Sequence, residues 1–375
     1  MRCPLRVEVV DKSLKTLCEI GDPTSVKVTP RHNALSTGVI TVDGDHYRTA
    51  ELRRPGAAIH VWLDDEWLCG GPIRTTGGKG PRVQSVGEYP FEDYARLLWQ
   101  YRGWPYPAGP ADAQGSASEE WTMTGRAETV VKAIARANIT QRAGIPLAIA
   151  ADQGRGGQIT VTSRMHAIAD RIFPAATQAG IGVQVRPING VVTLDCYTPM
   201  QRPALLSEAS GVVTDWEWST TAPDVTRGVG GGTGQGTYRI FRAHVDTDAE
   251  TLWGPWNTGE WFDDQRNIAD PATLLAEVQQ SVTEGAAATQ MDVTLVESDW
   301  WRYGRQVRVG DSVRVQIDEA SDPVWETVTE APITWDQSGY SCTVKVGSTL
   351  TDPYARVSAA IASLNRRTRN LEGGQ

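Results

Sequence analysis

The stretch Tyr303-Gly304-Arg305-Gln306-Val307-Arg308-Val309-Gly310-Asp311-Ser312-Val313-Arg314-Val315 sets the reading of the whole chain. Val307, Val309, Val313 and Val315 alternate with polar residues, and a period of two marks a half-buried strand. Gly310-Asp311 interrupts the alternation with turn chemistry. The spacing predicts strands at 306–309 and 312–317, on either side of Gly310-Asp311.

Outward from this stretch, strand signals recur on both sides. Downstream, 326–329 and 341–346 are strand-like, and upstream so are 291–296, 238–245 and 212–218. In the first hundred residues, 6–10, 25–29 and 39–42 carry β-branched residues, and Asp43-Gly44 is a turn. Residues 57–63 and 67–71 flank Asp64-Asp65-Glu66 as a hairpin with a polar tip. Residues 90–99 read as a short helix from Phe91, Tyr94, Leu97 and Leu98.

Between the two β-rich regions the period changes. A Pro/Gly/Ala/Ser-rich loop spans 104–120. Ala127, Val130, Val131 and Ile134 mark one helix; Met165, Ile168, Ala169 and Ile172 mark another, expected to stop near Pro174. Asn189-Gly190 is a hairpin turn, since both central residues of a type I′ turn need positive φ. Asp270-Pro271 starts a third helix through Leu274, Leu275, Val278 and Val282, with an N-cap followed by proline. Asp352-Pro353 starts a last one, in which Tyr354, Val357, Ile361, Leu364, Thr368 and Leu371 fall three and four residues apart. That alternation suits packing against copies of itself, or docking as an ordinary amphipathic helix on its own domain, with Val357, Ile361, Leu364 and Leu371 on the contact face.

The expected fold is therefore mainly β with α+β parts. A β-barrel-like domain would occupy 1–103 and a linker with an inserted α/β unit 104–205. A second β-barrel-like domain would occupy 206–350, with a helical insertion near 246–288, and a short C-terminal helix 351–375.

The sequence carries few motifs that would support chemistry. The glycine run from Gly228 to Gly236 contains no G-x-G-x-x-G and no G-K-[ST], so it reads as a loop between strands rather than a phosphate site. Five histidines are scattered without H-E-x-x-H spacing, and five cysteines lie far apart without a C-x-x-C pair, so neither a metal nor a disulfide framework is expected. No cofactor and no catalytic residue emerge, and the chain reads as a non-enzyme. No apolar run is long enough to span a bilayer, and no secretory signal follows Met1, so synthesis in a cytoplasm is expected. The net charge of −9 opposes tight phosphate binding but suits a wall that DNA slides past. Fourteen Trp against four Phe point to anchors at interfaces. Trp256, Trp261, Trp300 and Trp301 are the candidates for aromatic interface or glycan contact.

The order of parts, a β-domain, an α/β insertion, a second β-domain and a terminal helix, resembles the tail-hub or minor tail proteins of long-tailed phages, the baseplate-hub group. Arg31-His32-Asn33-Ala34 resembles that family's R-x-N turn. Residues 303–315 resemble its Y-G-x-x-Y-x-x-G-D-x-V-x-V hairpin around Gly310 and Asp311, although Val307 stands where an aromatic is usual. Ile333-Thr334-Trp335 and 340–344 resemble the strand pair that follows it. The resemblance implies a virion structural protein at the distal end of the tail tube. It would be a homotrimer adapting a hexameric tail ring to a trimeric tip, contacting the distal tail ring protein and a tail fibre or tip protein, and passing DNA without tight binding. Two other readings stand beside it. One is a carbohydrate- or receptor-binding tail module, drawn from Trp256 and Trp261 beside Asp263-Asp264. The other is a cell-wall polysaccharide hydrolase, which would need two carboxyls across a cleft.

Overall fold

The structure, a computed structural model, describes residues 3–79, 86–114, 120–286, 288–316 and 323–347. The C-terminal helix, with Val357, Ile361, Leu364 and Leu371, lies outside the described residues. No described helix is long and apolar enough to cross a membrane.

The chain opens with strands β1 (Leu5–Val10), β2 (Thr16–Ile20), β3 (Ser25–Thr29) and β4 (Thr37–Asp43), a helical turn α1 (Thr49–Leu52), then β5 (Ala58–Leu63), β6 (Glu66–Pro72), β7 (Gly77–Lys79), β8 (Val86–Glu92) and helix α2 (Arg96–Gln100). Strands β2-β1-β5-β6 form one sheet, and the β5–β6 hairpin turns at Asp64 and Asp65, both with positive φ. The helix expected over 90–99 is only partly realised. Phe91 belongs to β8, where it pairs with Gly38 of β4 and lays its ring over that glycine. Its helical spacing to Tyr94 and Leu97 is coincidental, because strand and helix meet within a few residues.

The α/β segment follows as β9 (Trp121–Arg126), α3 (Ala127–Ala135) running into a π-helical segment (Arg136–Arg142), β10 (Ala148–Ile149), β11 (Gln158–Ser163), α4 (Ile168–Gln178), β12 (Gly182–Ile188) and β13 (Val191–Tyr197). Strands β12 and β13 reverse through Asn189 (φ 50°) and Gly190 (φ 75°). Helix α4 does not stop at Pro174 but runs through it. Proline there removes one backbone donor, while Ile172, Phe173 and Ala176 continue the buried face beneath α3 and the strands and hold the turn together.

The rest of the chain contributes β14 (Gln201–Leu206), β15 (Val213–Thr221), β16 (Arg227–Gly231), β17 (Phe241–Val245), helix α5 (Thr247–Trp253), β18 (Glu260–Asp264), helix α6 (Pro271–Glu284), β19 (Ala288–Val296), β20 (Ser312–Val315), β21 (Val324–Glu330), β22 (Ile333–Asp336) and β23 (Gly339–Gly347). Eleven strands form one sheet with the path β14-β20-β21-β23-β22-β3-β4-β8-β7, and β15 and β19 branch from it at β23. Ile333 of β22 faces Val28 of β3, so the two β-rich ends of the sequence share a single sheet. The architecture is mainly β, as expected. Each sheet is an open path among the described residues, so the expected barrel-like closure is not drawn by these sheets.

The hairpin expected at Gly310-Asp311 is not a hairpin. Residues 302–308 coil into a turn, with Tyr303 bridging Val307, and β20 pairs with β14 in parallel and with β21 antiparallel. The valine alternation is real, but the residues before Gly310 serve as a lead-in rather than a partner strand.

The chain divides into two compact units. One holds residues 1–216 and 293–347; within the described residues the other holds 217–286 and 288–292. In the second, β17-β16-β18 form a three-stranded sheet with α6 packed on it. Of the glycine run expected as a loop, Gly228 to Gly231 lie in the central strand of that sheet, and Gly232 to Gly236 lead out of it as the loop toward β17. A Cβ on Gly230 would lie 2.5 Å from Val278 Cγ2 and one on Gly228 2.7 Å from Val278 Cγ1. The glycines thus let the helix approach the sheet closely, as glycine in a strand often does.

Candidate functional site: a clasp of turns and an open aromatic sheet

In the first unit, three turns distant in sequence converge. Arg31 donates through Nε to Glu330 (3.0 Å) and through Nη1 to the Leu35 carbonyl (2.8 Å). The next two residues leave the N-terminal strands altogether. Asn33, at φ 46°, reaches the α/β segment: its Oδ1 accepts from Val183 N (2.8 Å) and its Nδ2 donates to the Ile181 carbonyl (2.9 Å). That pair of bonds is the one a neighbouring strand would make, so the Asn33 amide stands in for a peptide group at the start of the free edge of β12. Asparagine tolerates this left-handed backbone better than most residues.

His32 points the other way. Its Nδ1 lies 2.9 Å from the Tyr197 hydroxyl, which donates to the Val309 carbonyl (3.3 Å), while Asn33 Nδ2 lies 3.2 Å from His32 Nε2. The two Asn33 amide hydrogens go to the Ile181 carbonyl and the Thr177 hydroxyl (2.8 Å), so the neutral state of His32 follows from its desolvation. Burial pushes the His32 pKa down to about 4 against a smaller upward pull from Asp311.

Gly310 sits against this pair at φ 90°. A Cβ there would lie 2.5 Å from His32 Nδ1 and 2.8 Å from the Tyr197 hydroxyl, so glycine is required by contact as well as by backbone. Asp311 is buried and fully engaged. Its Oδ1 accepts from Met200 N (3.1 Å), and its Oδ2 accepts from Arg202 Nε (2.8 Å) and Arg308 N (3.0 Å). The pair picked out in the sequence as a hairpin tip is thus the point where the β14 lead-in, the 302–308 turn and the N-terminal turn are locked together.

Beside the clasp opens a cleft of about 590 Å³, walled by the β5–β6 hairpin, the outer edge of β12 and the 308–311 turn. Asp93 lies on it with both oxygens occupied, by Ser36 N (3.1 Å) and Ala95 N (3.1 Å). Burial raises its pKa to about 7. A carboxyl raised in this way binds its proton more tightly folded than unfolded, so it stabilises the fold at low pH, and that contribution is lost as pH rises from about 4 to about 7. His32 and His60, both depressed to about 4 by burial, act with the opposite sign over the same window. Asp93→Asn removes only the first effect. Relative to wild type, the variant should gain about 4 kcal/mol between pH 4 and pH 8, read from urea midpoints at several pH values. A difference that does not change with pH would contradict a raised pKa at Asp93.

The α/β segment carries a charged cluster that the sequence reading missed. Lys132 Nζ donates to Glu128 Oε1 (2.6 Å), Asp195 Oδ1 (2.9 Å) and the Ala151 carbonyl (2.9 Å), and Arg155 N donates to Glu128 Oε2 (2.9 Å). Glu128 and Lys132 are almost wholly buried. The available signal was their i, i+4 placement on the helix face that also carries Val131 and Ala135.

The second unit presents a different surface. Helix α6 covers one face of its sheet. On the other, Val229, Phe241 and Phe262 share a face, and Phe241 and Phe262 are 48% and 44% exposed. Arg239 lies 5.4 Å and 5.7 Å from the two rings and bonds Asp264 and the Gly231 carbonyl. Trp256, on a 3-10 turn (Pro255–Asn257), is 94% exposed, whereas Trp261 on β18 is partly covered. In the first unit, Trp301 is buried in the core and Trp300 is 45% exposed. The four tryptophans therefore do not act alike. Asp263 and Asp264 are consecutive on β18, so their side chains take opposite faces of the sheet rather than a common cleft. Among the described residues, no group of three or more His, Cys, Asp or Glu is placed to hold a metal ion.

The family model of the Siphovirus ReqiPepy6 Gp37-like protein matches residues 6–348. The chain belongs to this family. Solved structures share its fold at low identity. The prophage MuSo2 43 kDa tail protein from Shewanella oneidensis aligns with a TM-score of 0.59 at 12% identity, covering 92% of this chain and 98% of that one. A tail protein from Neisseria meningitidis MC58 gives 0.54 at 11%, covering 92% and 97%. Prophage tail protein gp18 from Listeria monocytogenes gives 0.54 at 8%, covering 96% and 98%. No curated protein matches the sequence. The kinship with phage tail proteins expected from the sequence thus holds for the Gp37-like chain at the level of family and fold.

Proposed function

We propose that this Gp37-like protein is a structural component of the virion tail, acting as the hub at the distal end of the tail tube. The observation that carries the reading is a fold shared with tail proteins over nine-tenths of the chain. In this reading it is a homotrimer that adapts a hexameric tail ring to a trimeric tip, binds the distal ring protein and a fibre or tip protein, and leaves a channel for DNA. Catalysis has no part in it. The division at 1–103, 104–205, 206–350 and 351–375, and a barrel-like form for the first and third of these, belong to the same proposal. The exposed Phe241–Phe262 face supports a role in assembly, because large apolar side chains left open on a sheet mark contact surfaces. Ile361 and Leu364, with Val357 and Leu371, are proposed as the contact of the terminal helices.

Light scattering of the purified protein, alone and with the distal ring protein, tests this. A threefold mass is expected, reduced by Phe262→Asp or by Ile361→Asp with Leu364→Asp. A single-subunit mass both alone and with the ring protein would overturn the trimeric hub. The second reading, glycan or receptor binding, is favoured by the nearly complete exposure of Trp256. Glycan-array binding that disappears in Trp256→Ala would support it.

A further inference from the structure

We infer that the outer edge of β12 takes up an extended segment of a partner protein, pairing with it as an added strand and holding one of its carboxylates at Arg186. Strand β12 ends its sheet, whose order is β10-β13-β12, so among the described residues one side of it carries no strand. Which groups face outward follows from the bonds already made. Val183 N bonds Asn33, so Val183 and Val185 direct their N–H and C=O groups away from β13, and Gln184 and Arg186 direct theirs toward it. Leu194, opposite Val185, confirms the phase, since its carbonyl faces β10 and accepts from Ala150 N (3.0 Å).

The Val183 carbonyl and the Val185 N–H and C=O therefore line up along the 590 Å³ cleft, which Val183, Gln184, Val185 and Arg186 all border. Asn33 occupies the ladder position before them, and Pro187, which lacks an N–H, stands at the next outward position after them. The edge is unpaired over the length of a short strand, bordered by the cleft, and closed at both ends. Strand addition of this kind draws its affinity from main-chain bonds and its selectivity from the flanking side chains.

The charges on the cleft select the partner. Arg308 is held by Glu66, Arg202 by Asp311 and Arg31 by Glu330. Of the acids, Asp65 faces Arg6 at 3.6 Å, and Asp93 is tied to backbone N–H groups. Arg186 makes no ion pair among the described residues, and its buried Nε has no acceptor; the indole N–H of Trp62, on the same cleft, is also buried without one. The groups left over are donors and one cation, which suits a segment that supplies carbonyls and a carboxylate.

The test uses the full chain and a random nonapeptide library. Wild-type protein should select peptides of alternating β-branched residues with an acidic position. Binding should protect the Val185 amide from hydrogen exchange and should fall at least tenfold when the peptide backbone is N-methylated at alternate residues. Arg186→Glu, a substitution at a half-buried surface position, should abolish selection for the acid and favour a basic residue in its place. Selection of no peptide, or of peptides that leave Val185 unprotected, or binding equal in Arg186→Glu, would overturn the inference. None of these readings depends on trimerisation, so its failure and that of the hub assignment are separable.

Discussion

Asp311→Ala should lower the stability of the protein by about 3–5 kcal/mol, the usual cost of breaking a buried ion pair by removing one partner. The carboxylate accepts three bonds from Met200 N, Arg202 Nε and Arg308 N. Without it, Arg202 retains a charge beside a cavity, and two backbone N–H groups lose their acceptors. Asp311→Asn should fall between wild type and Ala, because its amide nitrogen must face at least one of these donors. Urea denaturation followed by tryptophan fluorescence measures both. A loss below about 1 kcal/mol for Ala, the value of an exposed pair, would mean that the clasp carries little of the fold's stability.

Lys132→Met should cost about 3 kcal/mol, for a related reason. Glu128 is fully buried, and Lys132 is one of two cations that neutralise it, the other being Arg155. Methionine fills much of the lysine's volume, so the loss reports the stranded charge more than a void. The pair can be tested as a cycle. Lys132→Met combined with Glu128→Gln should recover a large part of the loss, since Gln keeps an acceptor for Arg155 N without the charge. A double variant no better than the sum of the two singles would show that Glu128 and Lys132 are not coupled.

The parts of this fold that could be read from the sequence are those decided locally. Asn189-Gly190 and Asp64-Asp65 are turns because their own backbones need positive φ, and Asp270-Pro271 starts a helix because the Asp270 carboxylate reaches Thr273 N three residues on (2.9 Å). The misreadings have distant causes. Gly228 and Gly230 look like loop glycines until α6, some fifty residues later, lies across them. Gly310-Asp311 stands out by composition, but apart from Arg308 the residues it clasps are His32, Tyr197, Met200 and Arg202, more than a hundred residues away, so its role as a clasp has no local signature. The tryptophans stand out as a group, yet only packing separates buried Trp301 from exposed Trp256.

The pairing of Ile333 with Val28 also bears on how the chain is made. Strand β3 leaves the ribosome about three hundred residues before β22, the strand that flanks it in the finished sheet. At roughly 5–20 residues per second, β3 waits on the order of 15–60 s with one side unpaired. Such an edge is an invitation to pair with a neighbouring nascent chain. Lys27, exposed at the centre of β3, places a charge where that wrong partner would have to dock.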